Sequence, residues 1–209
     1  TPWFTLRFKQ LESLNDDEAK LWLEEATEVM YTAFNRSNFQ QEIFELYHDL
    51  ITFGTAAMFV EEDEEDLIKF STRHIDEVYV AENEKGKIDT IFRKFHMTSR
   101  ALVQKFENNV SQDIQTSVKK NPYEEIQIIH AVYPRNEFNP KKKDKANMPF
   151  ESVYFEYKNG NELSVSGFKE FPFVVPRYLK ASHEVYGRSP AMTALPDVKM
   201  LNEMSKVTI

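Results

Sequence analysis

Along the first fifty-odd residues the apolar positions recur every three or four residues; beyond them the period drops to two. Asn15-Asp16-Asp17-Glu18 reads as a helix start, with Asn15 as cap and Glu18 three residues on as its capping-box partner. Trp22, Ala26, Val29, Met30, Ala33 and Phe34 then make one stripe at helical spacing, which predicts a buried face. Arg36-Ser37-Asn38 breaks the pattern and caps a second helix. Its stripe is Phe39, Ile43, Leu46, Leu50 and Phe53, and Gly54 is its natural stop. The opening of the chain is therefore a helical pair.

After Gly54 short β-prone runs alternate with turn signals. Ala56 to Val60, Ile68 to Phe70, Val78 to Val80 and Ile88 to Phe95 read as strands, with a hairpin signal at Asn83 to Lys87. Thr98-Ser99-Arg100 caps a short helix through Phe106, Ser111 to Lys119 predicts another, and Ile126 to Tyr133 predicts a buried strand. Residues 134–149, rich in Pro, Asn and Lys, read as an exposed loop. Val153 to Tyr157 and Leu163 to Val165 flank an Asn159-Gly160 turn, a second hairpin. Phe171 to Tyr178 is extended, because each proline pushes the residue before it out of the helical region. The pattern predicts an α+β fold: an N-terminal helical pair, a central mixed or antiparallel sheet with hairpins, and the start of a C-terminal helix.

Composition narrows the class. Hydrophobic residues make up 41% of the 209 positions, with 17 Phe and 9 Tyr, a globular content. Zero cysteines exclude disulfides, thiolate metal sites and a cysteine nucleophile. No apolar run reaches eighteen residues, so no membrane partner is expected, and no basic-then-apolar leader is present. Beginning at Thr1 and stopping at Ile209 inside a helical pattern, the chain reads as a piece of a longer protein. The net charge is −8, concentrated early: residues 1–66 carry 4 Lys/Arg against 16 Asp/Glu, and residues 67–209 carry 22 against 18. A tight DNA binder needs a basic surface, since phosphate neutralisation supplies most of its affinity. This balance argues against one.

The chemistry-bearing residues form no catalytic constellation. His48, His74, His96, His130 and His183 show no metal spacing and read as structural or exposed. The acidic run Glu61 to Asp66 lacks the glycine and alternating ligands of a calcium loop and reads as a solvated turn. Lys141 to Lys145 has no interleaved aromatic and reads as a solvated loop. Glu156-Tyr157-Lys158 matches the E-x-K triplet of a class of metal-dependent nucleases. That chemistry also needs a second acidic residue on a neighbouring strand, and so short a triplet recurs by chance in a chain 29% charged. The glycines fall at turns or element ends, and no phosphate-binding glycine loop exists. No catalytic residue, metal ligand or cofactor is predicted.

The most specific stretch is Val185-Tyr186-Gly187-Arg188-Ser189-Pro190-Ala191-Met192-Thr193-Ala194-Leu195-Pro196-Asp197-Val198-Lys199-Met200-Leu201-Asn202. Physically it is an extended segment, a turn at Gly187 and a helix start, with Ser189 as N-cap and Pro190 at the first helical position. Pro196 should kink or restart that helix. The face carrying Val198, Leu201 and Ser205 should then pack on the body of the protein. Arg188 admits two readings, a partly exposed arginine bonding nearby carbonyls or a two-point clamp on a carboxylate across a subunit boundary.

This stretch resembles the Y-G-R-S-P-A-M-x-A-L-P-D-x-K-x-L-N segment of the head-to-tail connector, or portal, proteins of short-tailed bacteriophages. Ser37-Asn38-Phe39, Gly54-Thr55-Ala56, Pro149-Phe150-Glu151-Ser152-Val153 and Pro176-Arg177-Tyr178 are similar to further family stretches, with Tyr178 where the family often has Trp. The resemblance implies a structural subunit of a homo-oligomeric ring, a dodecamer, at one capsid vertex of the virion, assembled in the host cytoplasm. Phage DNA would pass through the ring in packaging and ejection with weak non-specific contact, and capsid, scaffold, terminase and tail proteins would dock on it. Residues 1–186 would be wing, and 187–209 the beginning of a stem-directed helix. Tyr186, Gly187, Arg188, Ser189 and Pro190 would mark the stem start and a subunit interface. The competing readings are the E-x-K nuclease and a virion adaptor other than the portal.

Overall fold

The computed structural model describes residues 3–8, 17–142 and 144–208. Helices α1 (Asp17–Arg36) and α2 (Phe39–Phe53) form the expected pair; the Asn15 cap lies outside the described residues. The buried side of α1 departs from the expected stripe. Trp22, Val29 and Met30 are exposed, whereas Thr27 is buried. The reason is the segment 3–8, which runs along that side of the helix. The Tyr31 hydroxyl accepts from Phe4 N (2.7 Å) and donates to Phe4 O (2.8 Å), and Thr27 Oγ1 accepts from Leu6 N (3.2 Å). A covering segment outside any helix or sheet brings backbone polar groups that must be satisfied, so hydroxyls occupy the covered face.

The stripe of α2 packs as expected, with Leu46 buried and Gly54 closing the helix at φ 79°. Asn38 does not cap it. Its side-chain amide instead accepts from Phe70 N (2.9 Å) and donates to Phe70 O (2.7 Å), while Ser37 Oγ accepts from Phe39 N (3.2 Å).

Two antiparallel sheets follow, not one. Strands β1 (Ala57–Asp63), β2 (Leu67–Arg73) and β8 (Phe173–Val174) order as β2-β1-β8. Strands β3 (Val78–Glu82), β4 (Ile88–Thr98), β5 (Glu125–Pro134), β6 (Phe150–Glu156) and β7 (Glu162–Phe168) form a five-stranded meander in chain order. The acidic run is only half turn. β1 continues through Asp63, whose Oδ2 accepts from Glu65 N and Asp66 N to fold the chain back. β8 is short because prolines flank it, and a residue without N–H cannot continue a ladder. Its neighbours still bond to β1, with Val60 N donating to Pro172 O and Ala56 N to Pro176 O.

The layers follow from alternation along β1. Met58 and Val60 face α2 in a cluster with Leu46 and Phe70, whereas Ala57 and Phe59 face the large sheet and pack with Val78, Ile91 and Val132. The same inner face continues to Phe95 and Ile128. There it is covered by α3 (Ser99–Phe106) and α4 (Gln112–Lys120) through Leu102, Phe106 and Ile114. Tyr79, Phe92 and Val165 are exposed, as on a large antiparallel sheet with one solvated face.

Helix α5 (Pro190–Thr208) runs through Pro196 without restarting. The face expected to pack is open to solvent: Val198 is 48% exposed and Leu201 61%. Apolar spacing marked a face that nothing among the described residues covers.

Candidate functional site

The stretch singled out in the sequence lies where the foot of α5, the C-terminal end of α2 and the edge of the large sheet meet. Gly54 and Gly187 stand with their backbones in contact. A Cβ on Gly187 would lie 2.3 Å from Gly54 O, and one on Gly54 would lie 2.5 Å from Gly187 O. Gly187 has no positive φ. Glycine is required there by closeness of approach, whereas the turn in the sequence suggested a conformational need.

Hydrogen bonds lock this contact. Gly187 N donates to the buried Thr55 Oγ1 (2.7 Å), Tyr178 N to Gly54 O (2.9 Å) and Arg188 N to Leu179 O (2.7 Å). Ser189, 2% exposed, serves two helices. Its Oγ accepts from Met192 N (2.9 Å) to cap α5 and donates to Thr52 O (2.8 Å), a carbonyl in the last turn of α2. Pro190 opens α5 where no N–H is needed. Tyr186 reaches the edge strand β3: its hydroxyl accepts from Val80 N (3.2 Å) and donates to Val78 O (3.4 Å), occupying edge groups otherwise free to pair with another chain.

Two arginines divide the work at this junction. Arg177 is the enclosed one. Its guanidinium pairs with Glu82 and donates to Val185 O (3.1 Å) and Gly86 O (3.2 Å), pinning the β3–β4 hairpin to the junction. Lys180 joins the same carboxylate at 2.5 Å, and together Lys180 and then Arg177 hold the Glu82 carboxyl below the usual range. Arg188 is the exposed one. It makes a two-point pair with Glu184 of its own chain, at 2.9 and 2.5 Å, which lowers the Glu184 carboxyl and raises the guanidinium. The clamp geometry expected of Arg188 is present, but its carboxylate partner here is four residues back. Arg177 and Thr55 received no role from the sequence reading. The available signal was that Gly54-Thr55-Ala56 and Pro176-Arg177-Tyr178 resemble family stretches far apart in the chain, which a shared junction explains.

The residues of the nuclease alternative do other work. Glu156 is 3% exposed and accepts from Ser111 N and Oγ (both 2.9 Å), Asn159 Nδ2 (2.8 Å) and Asn161 Nδ2 (3.0 Å). Four donors occupy its oxygens, so the carboxylate ties α4 to the β6–β7 turn and offers no face to a metal. Among the described residues no group of three or more acidic or histidine side chains is placed to hold one. His130 is 2% exposed, stacks on Tyr154 at 3.9 Å and shares a hydrogen bond with Ser152 Oγ (2.9 Å). Burial, then Lys105 and nearby arginines, push its pKa down to about 3, so the ring is neutral at ordinary pH.

This junction joins elements: its Thr55, Tyr186 and Ser189 hydroxyls and its Glu82 and Glu184 carboxylates are bonded within the chain. Comparison with known proteins agrees with that architecture. The sequence matches the family described as bacteriophage head to tail connecting protein over residues 1–209. It is similar to the portal protein of Salmonella phage epsilon15, at 37% identity over 210 aligned residues covering 98% of this chain and 38% of that protein. It is also similar to the probable portal protein of Bordetella phage BPP-1, at 32% identity over 204 residues covering 96% of this chain and 37% of that one. The chain thus spans under two fifths of the length of these relatives. A match running the whole length of the chain, across both sheets and the junction, shows that the chain belongs to the bacteriophage head to tail connecting protein family.

Proposed function

We propose that this chain is part of a structural subunit of a phage portal ring, through which DNA enters and leaves the capsid. The observation that carries the reading is the family match over residues 1–209, with relatives named as portal proteins. Residues 1–186 form the wing, and residues 187–209 lead into a stem that continues the exposed α5. The ring is a homo-oligomer of twelve subunits within the virion, assembled in the host cytoplasm, and it docks capsid, scaffold, terminase and tail proteins. Its role is mechanical, with no catalytic residue. Two features support this: a junction built from backbone contacts, and the Glu156 carboxylate occupied by its own chain. The net charge of −8 is compatible with letting DNA pass without gripping it. Among the described residues no helix is long and apolar enough to cross a membrane.

Tyr186 to Pro190 mark the stem start, with Arg188 on the side turned toward a neighbouring subunit. The Arg188–Glu184 pair, exposed on both members, can exchange its carboxylate for one across a boundary at little cost. Electron microscopy of the protein as its phage encodes it is the decisive experiment. Twelve-fold rings with an axial channel are expected; a protein that stays monomeric at assembly concentrations overturns the reading.

A further inference from the structure

Between the two sheets lies a row of positive charge that the junction does not use. In the β1–β2 ladder Ala57 opposes Arg73, Phe59 opposes Ser71 and Glu61 opposes Lys69. Directly opposed residues share a face, and Ala57 and Phe59 pack against the large sheet, so Lys69 and Arg73 face it too. Across the gap, Arg93 opposes His130 and His130 opposes Tyr154, one row on the inner face of the large sheet. Phe59 meets the His130 ring at 5.7 Å, which fixes the two faces against each other. Lys105 of α3 closes one end, its ammonium 4.5 Å from the Tyr154 ring.

The charges do not balance. Arg93 pairs with Glu77 at 2.8 Å and lies over Phe95. Among the described residues Lys69, Arg73 and Lys105 make no ion pair, and the acid on their wall is Glu61. Arg73 and Lys105 are both held below ordinary basicity, by burial first; the neighbouring cations add to this and Glu61 opposes it. Like charges gathered in a partly dry gap destabilise one another unless an anion joins them. A gap of about 10 Å between packed sheets is too narrow for a duplex. It suits a single oxyanion held by a planar guanidinium and an ammonium.

We propose that Arg73, Arg93 and Lys105 form a binding site for a phosphate-class oxyanion, floored by Tyr154 and His130. This is independent of the ring assembly argued above.

The test is thermal melting of the chain as chloride is replaced by inorganic phosphate at constant ionic strength. The parent and a K141Q/K142Q loop control should rise by about 3–6 °C at a tenfold excess over the dissociation constant. R73Q and K105Q should lose that rise, yet melt at or above the parent in chloride, because each relieves repulsion. Lys105 is more exposed than Arg73, so K105Q carries the test should R73Q fold poorly. Competition by a short 5′-phosphorylated oligonucleotide but not its unphosphorylated twin would identify a chain-end phosphate as the source, and competition by neither would identify the free anion. An equal rise in all variants is a general salt effect and overturns the site. So does the absence of any rise, a loss of stability in K105Q with the rise intact, or equal competition by both oligonucleotides.

Discussion

Replacing Gly187 with alanine isolates the contact on which the junction depends. The added Cβ would sit 2.3 Å from Gly54 O and 3.0 Å from Arg177 Cβ, both well inside contact distance. Neither side can retreat freely. Gly54 O also accepts from Tyr178 N (2.9 Å), and Gly187 N donates to the buried Thr55 Oγ1 (2.7 Å), so separating the two backbones stretches both bonds. Overpacking of a tight site costs about 1–3 kcal/mol. Weakening two hydrogen bonds adds about 1–3 kcal/mol. The stiffer unfolded chain of the alanine variant offsets about 0.4–1 kcal/mol. A net loss of about 3 kcal/mol is expected, or about 6–12 °C in Tm for a chain of this size. Urea unfolding followed by circular dichroism measures it, with Gly160→Ala as the comparison. Gly160 has φ 68° but nothing within 4 Å of its missing Cβ, so it carries only the conformational cost, about 1–2 kcal/mol. If Gly187→Ala proves no more harmful than Gly160→Ala, glycine is not needed for close approach and the account of the junction fails.

Ser189→Ala removes the α5 cap and the bond to Thr52 O together and should cost about 1–2 kcal/mol, read from urea midpoints. Glu156→Gln should cost about 1–3 kcal/mol, because an amide cannot accept from all four donors, and should alter no DNA-nicking activity. Metal-dependent nicking that vanished in this variant would revive the nuclease reading. His130 links stability to pH. Its folded pKa of about 3 lies below the ordinary 6.5, so the unfolded chain binds the proton first. Its contribution is complete above pH 6.5 and falls by about 1.4 kcal/mol per unit as the pH drops toward 3. His74, whose pair with Asp76 raises its pKa, acts in the opposite sense but is exposed. Unfolding midpoints at pH 7 and pH 5 should therefore differ less in His130→Gln than in the parent; equal differences would refute the assignment. Arg177→Ala should lower the Tm of the subunit, while Arg188→Ala should leave it unchanged and reduce the yield of rings; a fall in both quantities for Arg188→Ala would make it an ordinary intrachain residue.

The sequence by itself determined what depends on near neighbours. The α2 stripe closed by Gly54, the Ser189 cap ahead of Pro190 and the Asn159-Gly160 turn are signals spanning a few residues, and each forms where its own chemistry places it. Tertiary structure decided every case in which one side chain had two uses. Asn38 has the chemistry of a cap but satisfies the edge of β2, and Glu156 sits in a nuclease triplet but holds a turn to a helix. Gly187 looked like a turn glycine and is a contact glycine, and the bonds to nearby carbonyls that one reading gave Arg188 are made by Arg177. The division of the strands into two sheets was equally invisible, because alternation records that a face is apolar without naming what covers it. The open face of α5 is the plainest instance: its apolar spacing predicted packing, and the partner that would satisfy it is not among the described residues of this chain.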